Sequence, residues 1–137
     1  MSNTFVVDNS IVMSWCFKDE ANKYTDVVLD SLAESYAVVP SVWPLEVVNA
    51  LLVSERRRRL SEADSIRFLT LLAQLPLTVE QEQSENAMMR ILALARKHKL
   101  SSYDASYLDL AMRNGLPIAT LDKNLRAAAK RAQVTII

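Results

Sequence analysis

The chain has 137 residues, is half apolar, and sets sixteen Lys plus Arg against sixteen Asp plus Glu; it is long enough to bury a core as one domain but has no net field to hold a polyanion non-specifically. Its one glycine, Gly115, excludes a Gly-rich dinucleotide loop, a P-loop and a nucleophile elbow, and its one cysteine, Cys16, and one histidine, His98, exclude a Cys/His zinc site and an internal disulfide. An unpaired cysteine favours a reducing setting, no apolar run is long enough to span a bilayer, and Met1 to Asp8 lacks the pattern of a signal peptide, so a soluble cytoplasmic protein with no membrane partner is expected.

Thr4-Phe5-Val6-Val7 is a short β-rich apolar run that ends at Asp8 and predicts a buried first strand, with a short helix following from Ser10. From Asn22 to Glu34 the apolar residues Val27, Val28, Leu32 and Ala33 recur at helical spacing, and Tyr36 to Val39 predicts a second strand closed by Pro40. Pro44 suits the first turn of a helix running to about Arg58, because the N–H it lacks would be unpaired there. Ser61 with Asp64 makes a weak capping box for a helix from Glu62 to Gln74, which Pro76 stops. Leu77 to Glu80 predicts a third strand and Ser84 to about His98 a long helix. Ser101 or Ser102 can cap the next helix, which Gly115 and Pro117 terminate. Leu116 to Leu121 predicts a fourth strand, Asp122 to Arg131 a final helix and Val134 to Ile137 a fifth strand. No linker or repeat interrupts this alternation, so one α/β domain is expected over residues 1–137, a parallel five-stranded sheet flanked by helices with right-handed crossovers.

Asp8, Glu46, Asp104 and Asp122 each stand where a predicted strand ends or a predicted helix begins. In a parallel α/β sheet those points crowd onto one edge, so acids distant in sequence can meet there. Like charges so gathered repel, and one takes up a proton unless a cation sits among them. Each acid also has an ordinary role open to it: an Asx-turn or cap for Asp8, a cap for Asp122, first-turn charge compensation for Glu46 and Asp104. Polar neighbours accompany them: Ser10 after Asp8, Asn49 three residues beyond Glu46 on the same helix face, and Thr120 before Asp122. Asp109, further along its helix, is expected to be solvated or ion-paired. Oxygen donors without His or Cys suit Mg²⁺ or Mn²⁺ better than zinc.

The phrases Val7-Asp8-Asn9-Ser10, Glu46-Val47-Val48-Asn49-Ala50-Leu51, Ser102-Tyr103-Asp104-Ala105-Ser106-Tyr107-Leu108 and Leu116-Pro117-Ile118-Ala119-Thr120-Leu121-Asp122 follow in that order. Together they resemble a PIN-domain ribonuclease of the VapC toxin kind, over essentially the whole chain. Asn9 departs from the pattern, where a small residue is more usual, and puts nothing catalytic in doubt. The resemblance implies a PIN-domain-like α/β/α sandwich and a Mg²⁺- or Mn²⁺-dependent endoribonuclease, the toxin of a type II toxin–antitoxin pair. It further implies a homodimer silenced by a VapB-like antitoxin whose C-terminal segment covers the acidic pocket. Carried onto this sequence, Asp8 and Asp104 would be the principal metal ligands, with Glu46 and Asp122 completing the catalytic set and Ser10, Asn49 and Thr120 supporting it.

On that reading a bound cation would acidify a water for in-line attack on an RNA phosphodiester, with Glu46 or Asp122 accepting the proton. Lys123, Arg126 and Lys130 form a basic stripe after Asp122 that is open to RNA contact or to simple solvation as a helix face, and the run Arg56 to Arg59 falls at a helix C-terminus, where cations are favoured anyway. His98 is expected at the surface, Trp15 and Trp43 as core or interface anchors, and Met88 and Met89 as core filling or partner packing. A catalytically inactive PIN-like module that binds RNA or protein is the main alternative. A receiver-like Mg²⁺-binding domain would want paired acids where Asp8 is followed by Asn9, and a haloacid-dehalogenase-like phosphatase would want an acid where Ser10 stands.

Overall fold

The computed structural model describes residues 3–20, 22–81 and 86–137. Its parallel sheet is made of β1 (Thr4–Val7), β2 (Tyr36–Val39), β3 (Leu77–Val79) and β4 (Ile118–Ala119), in the order β3-β2-β1-β4. Val6 pairs with Val38 on one side and with Ile118 on the other. A strand paired on both edges and covered on both faces must be apolar throughout, and Phe5, Val6 and Val7 are all buried. The helices are α1 (Asn9–Ser14), α2 (Lys23–Ser31), α3 (Trp43–Arg56), α4 (Glu62–Ala73), α5 (Ala87–His98), α6 (Ser102–Asn114) and α7 (Lys123–Arg131). One core runs through them: Ile11, Val12, Val47, Leu51, Leu108, Leu110 and Leu125 pack with the strand residues.

Local chemistry sets the helix boundaries. Ser61 and Asp64 form a reciprocal capping box, their side chains accepting from each other's backbone N–H at 3.1 and 3.0 Å. Asn22 and Thr25 do the same for α2. Pro44 sits in the first turn of α3, and Ser101 caps α6 by accepting from the Asp104 N–H at 3.0 Å. α6 ends on Gly115 at φ 62°, a left-handed conformation natural to glycine. α3 ends differently, since the residue just beyond its C-cap is Arg58, also left-handed, at φ 59°.

The expected fifth strand is absent among the described residues, and the sheet has four strands. Val134 to Ile137 reaches β4 only through an isolated parallel bridge between Ile136 and Ile118. The reason lies in β4, which is two residues long rather than the six predicted from Leu116 to Leu121. The Leu116 N–H donates to Ala111 in the turn closing α6, and the Thr120 carbonyl accepts from the Arg126 side chain, so neither end of that run extends the ladder. The start of α5 predicted at Ser84 lies outside the described residues. His98, expected at the surface, is buried, and its Nδ1 accepts from Arg131 Nε at 3.3 Å. Burial and the nearby Arg131 and Lys97 charges hold its pKa below the ordinary value. Asp109 is also buried, and bonds Arg90 and Arg113 at 3.1 and 2.8 Å. Met88 and Met89 do not fill the core, being 83% and 72% exposed.

Left-handed residues also end α5, at Lys99, and follow α7, at Gln133, but Gly115 and Arg58 make opposite predictions. Gly115→Ala meets no steric obstacle, since an added Cβ has nothing within 4 Å, so its cost is conformational alone, about 1 kcal/mol of unfolding free energy. Arg58→Gly relieves the same conformational penalty and should stabilise by roughly 0.5 kcal/mol. Chemical denaturation of both variants measures this, and shifts of the same sign would contradict it.

Candidate active site

The chain order in the sheet reverses beside β1: β2 and β3 lie on one side, and the return through α5 and α6 places β4 on the other. At such a reversal the connections leave the two neighbouring strands in opposite directions and open a crevice at their C-terminal ends. Asp8 follows β1 and Asp122 follows β4, so both stand at this crevice. Glu46 enters from the first turn of α3 and Asp104 from the first turn of α6.

A hydrogen-bond chain fixes the β1 and β4 side. Ser10 Oγ and Thr120 Oγ1 both donate to Asp8 Oδ2, at 2.6 and 2.8 Å. In turn the Leu121 N–H donates to Ser10 Oγ at 3.1 Å and the Asp122 N–H to Thr120 Oγ1 at 3.0 Å. Asp122 Oδ1 accepts from the Leu125 N–H at 2.9 Å, so this acid caps α7 from within the cluster. Asp8 is 4% exposed; burial raises its pKa, and the two hydroxyl donors oppose that rise by favouring the carboxylate.

On the helical side the fully buried Tyr107 donates from its hydroxyl to Glu46 Oε1 at 2.7 Å. Tyr107 lies three residues beyond Asp104 and so shares its helix face, which lets α6 present one acid and brace another. Partial burial raises the Glu46 pKa; the Tyr107 bond lowers it, and the charges of Asp8 and Asp104 raise it further. Asp104 is pushed up to about 6, first by burial and then by Asp8 and Asp122. Glu46 therefore senses Asp8 and Asp104, and Asp104 senses Asp8 and Asp122, as convergence requires.

Tyr107 is the member that residue-by-residue reading passes over. Its sequence signal is the i, i+3 spacing from Asp104, but an aromatic on an apolar helix face reads first as core. Asn49 stands at an exposed position beside Glu46, whose side-chain partner is Tyr107. Arg126 is committed locally: its Nη1 donates to the Thr120 carbonyl at 3.1 Å and its guanidinium lies 5.5 Å from the Tyr24 ring. Lys123 and Lys130 of the same stripe are exposed. In the other basic run, Arg59 covers Phe17 at 4.1 Å and pairs with Asp19 and Glu20, while Arg56, Arg57 and Arg58 are exposed.

Among the described residues no lysine or arginine forms an ion pair with any of the four acids, and no three His, Cys, Asp or Glu side chains are close enough together to form a metal-holding group. The donor chemistry fits a hydrated hard cation, since Mg²⁺ keeps several waters and needs only one or two carboxylates. It does not fit a tightly caged ion.

The raised Asp104 pKa has a sign that can be checked. A carboxyl that holds its proton more strongly in the folded chain than in the unfolded one makes stability fall as pH rises. That loss should run from near 4 to about 6 and then level off, in metal-free protein. Asp104→Asn should flatten this part of the profile, so thermal melts of both proteins across the window should converge at low pH and diverge above 6. Separately, Tyr107→Phe should raise the Glu46 pKa further, because a donor to the carboxylate is removed. Carboxyl NMR titration reads this directly, and an unchanged Glu46 would contradict the contact.

The PIN domain family model matches residues 5–131. In structure the chain is similar to PAE2754 from Pyrobaculum aerophilum, with a TM-score of 0.71 and 23% identity over 93% of this chain and 87% of that one. It is also similar to VapBC2 from Rickettsia felis bound to a DNA fragment from their promoter, with a TM-score of 0.67 and 10% identity over 98% and 97% of the two chains. A toxin-antitoxin complex from Klebsiella pneumoniae gives a TM-score of 0.60 and 16% identity over 86% of each chain. These likenesses concern the fold. No protein of curated function matches the sequence. With a family model spanning nearly its whole length and its acids gathered at the sheet's crevice, the chain belongs to the PIN domain family.

Proposed function

We propose that this protein is a Mg²⁺- or Mn²⁺-dependent endoribonuclease and the toxin of a toxin–antitoxin pair. The observation that carries the reading is the convergence of Asp8, Glu46, Asp104 and Asp122: burial and then the charges of neighbouring acids of the set raise the pKa of Glu46 and Asp104, and among the described residues no cationic side chain pairs with any of the four. Membership of the PIN domain family and the similarity in fold to VapBC2 and to a toxin-antitoxin complex support it.

In this reading Asp8 and Asp104 hold the cation. When bound, it supplies charge neutralisation at the phosphate and a more acidic water. Ser10 and Thr120 fix the orientation of Asp8 through their bonds to Oδ2, and Tyr107 fixes Glu46. Glu46 or Asp122 takes the proton of the attacking water, which adds in line to phosphorus while the opposite P–O bond breaks and the leaving oxygen is protonated. The phosphate backbone runs past the exposed Lys123, with Lys130 further along α7 and Arg126 bracing the Thr120 carbonyl between them. The working form is a cytoplasmic homodimer, and a VapB-like antitoxin silences it by covering the crevice.

Asp8→Asn or Asp104→Asn should reduce metal-dependent RNA cleavage to background while circular dichroism stays native. Thr120→Val, which removes only a support of Asp8, should cost roughly ten- to a hundredfold in activity. Growth arrest on expression should disappear in Asp8→Asn and be relieved by coexpressing the neighbouring open reading frame. Full cleavage by either aspartate variant would overturn the assignment, and absence of cleavage and toxicity in the wild type would favour an inactive binding module.

A further inference from the structure

Beside the acid cluster lies an open recess of about 510 Å³, lined by Asn9, Val42, Leu45, Glu46, Asn49, Ala50 and Tyr103. Its volume falls in the range of small-ligand sites, about 300–1,000 Å³. The lining has three features that the acid chemistry does not use. Tyr103 is 56% exposed and immediately precedes Asp104, and Leu45 is 72% exposed and immediately precedes Glu46. An aromatic and a branched apolar side chain are thus left open to water next to two proposed catalytic acids, one on α6 and the other on α3. Asn9, next to Asp8, has its side-chain carbonyl oxygen fully buried without a hydrogen-bond partner. A buried amide acceptor left unmet is costly, and a ligand N–H donor that the amide meets by turning toward the recess would remove that cost. Asn49 adds a second amide at the exposed end of the same recess.

We infer that this recess receives one unpaired nucleobase of the RNA, stacked on Tyr103 and met on its edge by the amide of Asn9. The inference rests on the nuclease reading and adds to it a base-binding position beside the cut. A phosphodiester placed at the acids carries its flanking nucleotide within reach of Tyr103 and Asn9, because each adjoins a proposed metal-holding aspartate in the chain. An aromatic face accepts any base by stacking, and an amide supplies both a donor and an acceptor to a base edge. A base already paired in a duplex has that edge occupied and its faces stacked, so it could not enter. A peptide segment could also cover Leu45 and Tyr103, but it would give no reason for an aromatic and an unmet amide to stand beside the phosphate-handling acids.

The test uses fluorescence anisotropy of a labelled single-stranded octaribonucleotide with the full-length protein in Ca²⁺, the RNA being checked intact by gel after each titration. Tyr103→Ala should weaken binding by roughly tenfold or more, the loss expected for one stacked base, and Tyr103→Phe should stay within about twofold of wild type. Asn9→Ala should weaken binding by roughly fivefold to tenfold, with the melting temperature monitored in parallel. A scan that places one abasic ribose at each position in turn should find a single position where the penalty of Tyr103→Ala vanishes, and duplex RNA of the same sequence should be indifferent to Tyr103. Wild-type cleavage in Mg²⁺ is a separate arm. If cleavage is present but the Tyr103 penalty persists at every abasic position, or is missing throughout, the base recess is overturned and the nuclease reading stands. If cleavage is absent but the abasic scan behaves as expected, the nuclease reading fails and the recess stands. If Tyr103→Ala leaves RNA binding intact and instead weakens binding of the coexpressed neighbouring protein, the recess is a protein-docking surface and the inference is overturned.

Discussion

The hydrogen bond from Thr120 to Asp8 joins residues 112 positions apart, and much of the molecule is arranged around it. It ties the end of β4 to the end of β1 at the point where the order of strands reverses. Ser10 completes the clasp by donating to Asp8 while accepting from the Leu121 N–H. A buried carboxylate without such donors would be neutral or would draw in water. With both hydroxyls on one oxygen, Asp8 is held in one orientation in spite of a burial that works against its charge.

The other two acids depend on helix placement. α6 brings in Asp104 and, one turn later, the tyrosine that holds Glu46 of α3. That helix is secured along its length: Ser101 caps its start, Gly115 closes its end, and the buried Asp109 bonds Arg90 of α5 and its own Arg113. Arg113 also bonds Glu80, just beyond β3, which links α6 to the far edge of the sheet. A site whose acids repel needs supports of this kind, because each acid would otherwise relax toward solvent and away from the others. Some of the domain's stability is thereby opposed at the crevice, where burial first and neighbouring acids second raise the pKa of Glu46 and Asp104.

The apolar margin of the crevice follows from the same architecture. Successive helical residues point about 100° apart, so on one side of Glu46 and Asp104 in the chain Val47 and Ala105 turn into the core, while on the other side Leu45 and Tyr103 stand exposed. Their exposure places hydrophobic surface next to the charged centre.

The sequence by itself determined the alternation of strands and helices, the capping boxes and the positions of all four acids at element junctions, since apolar periodicity, Pro44, Gly115 and Ser61 with Asp64 act over a few residues. It also supplied the phrases by which the family resemblance was legible. What it could not decide was anything that depended on partners far along the chain. Val134 to Ile137 is as apolar as a strand, yet β4 offers it only one bridge because the backbone on either side of Ile118 and Ala119 is turned to other uses. His98 carries no local sign that Arg131 will cover it, and Asp109, though Arg113 stands at i+4 on its own helix, carries none that Arg90 of α5 will meet it as well. Tyr107 looks like core in the sequence and is core in the structure, but its hydroxyl reaches an acid 61 residues away. Local rules govern which element forms and where it stops; the pairing of one side chain with another across the fold is settled only when the elements pack, because it depends on distances of a few ångströms that no spacing in the chain encodes.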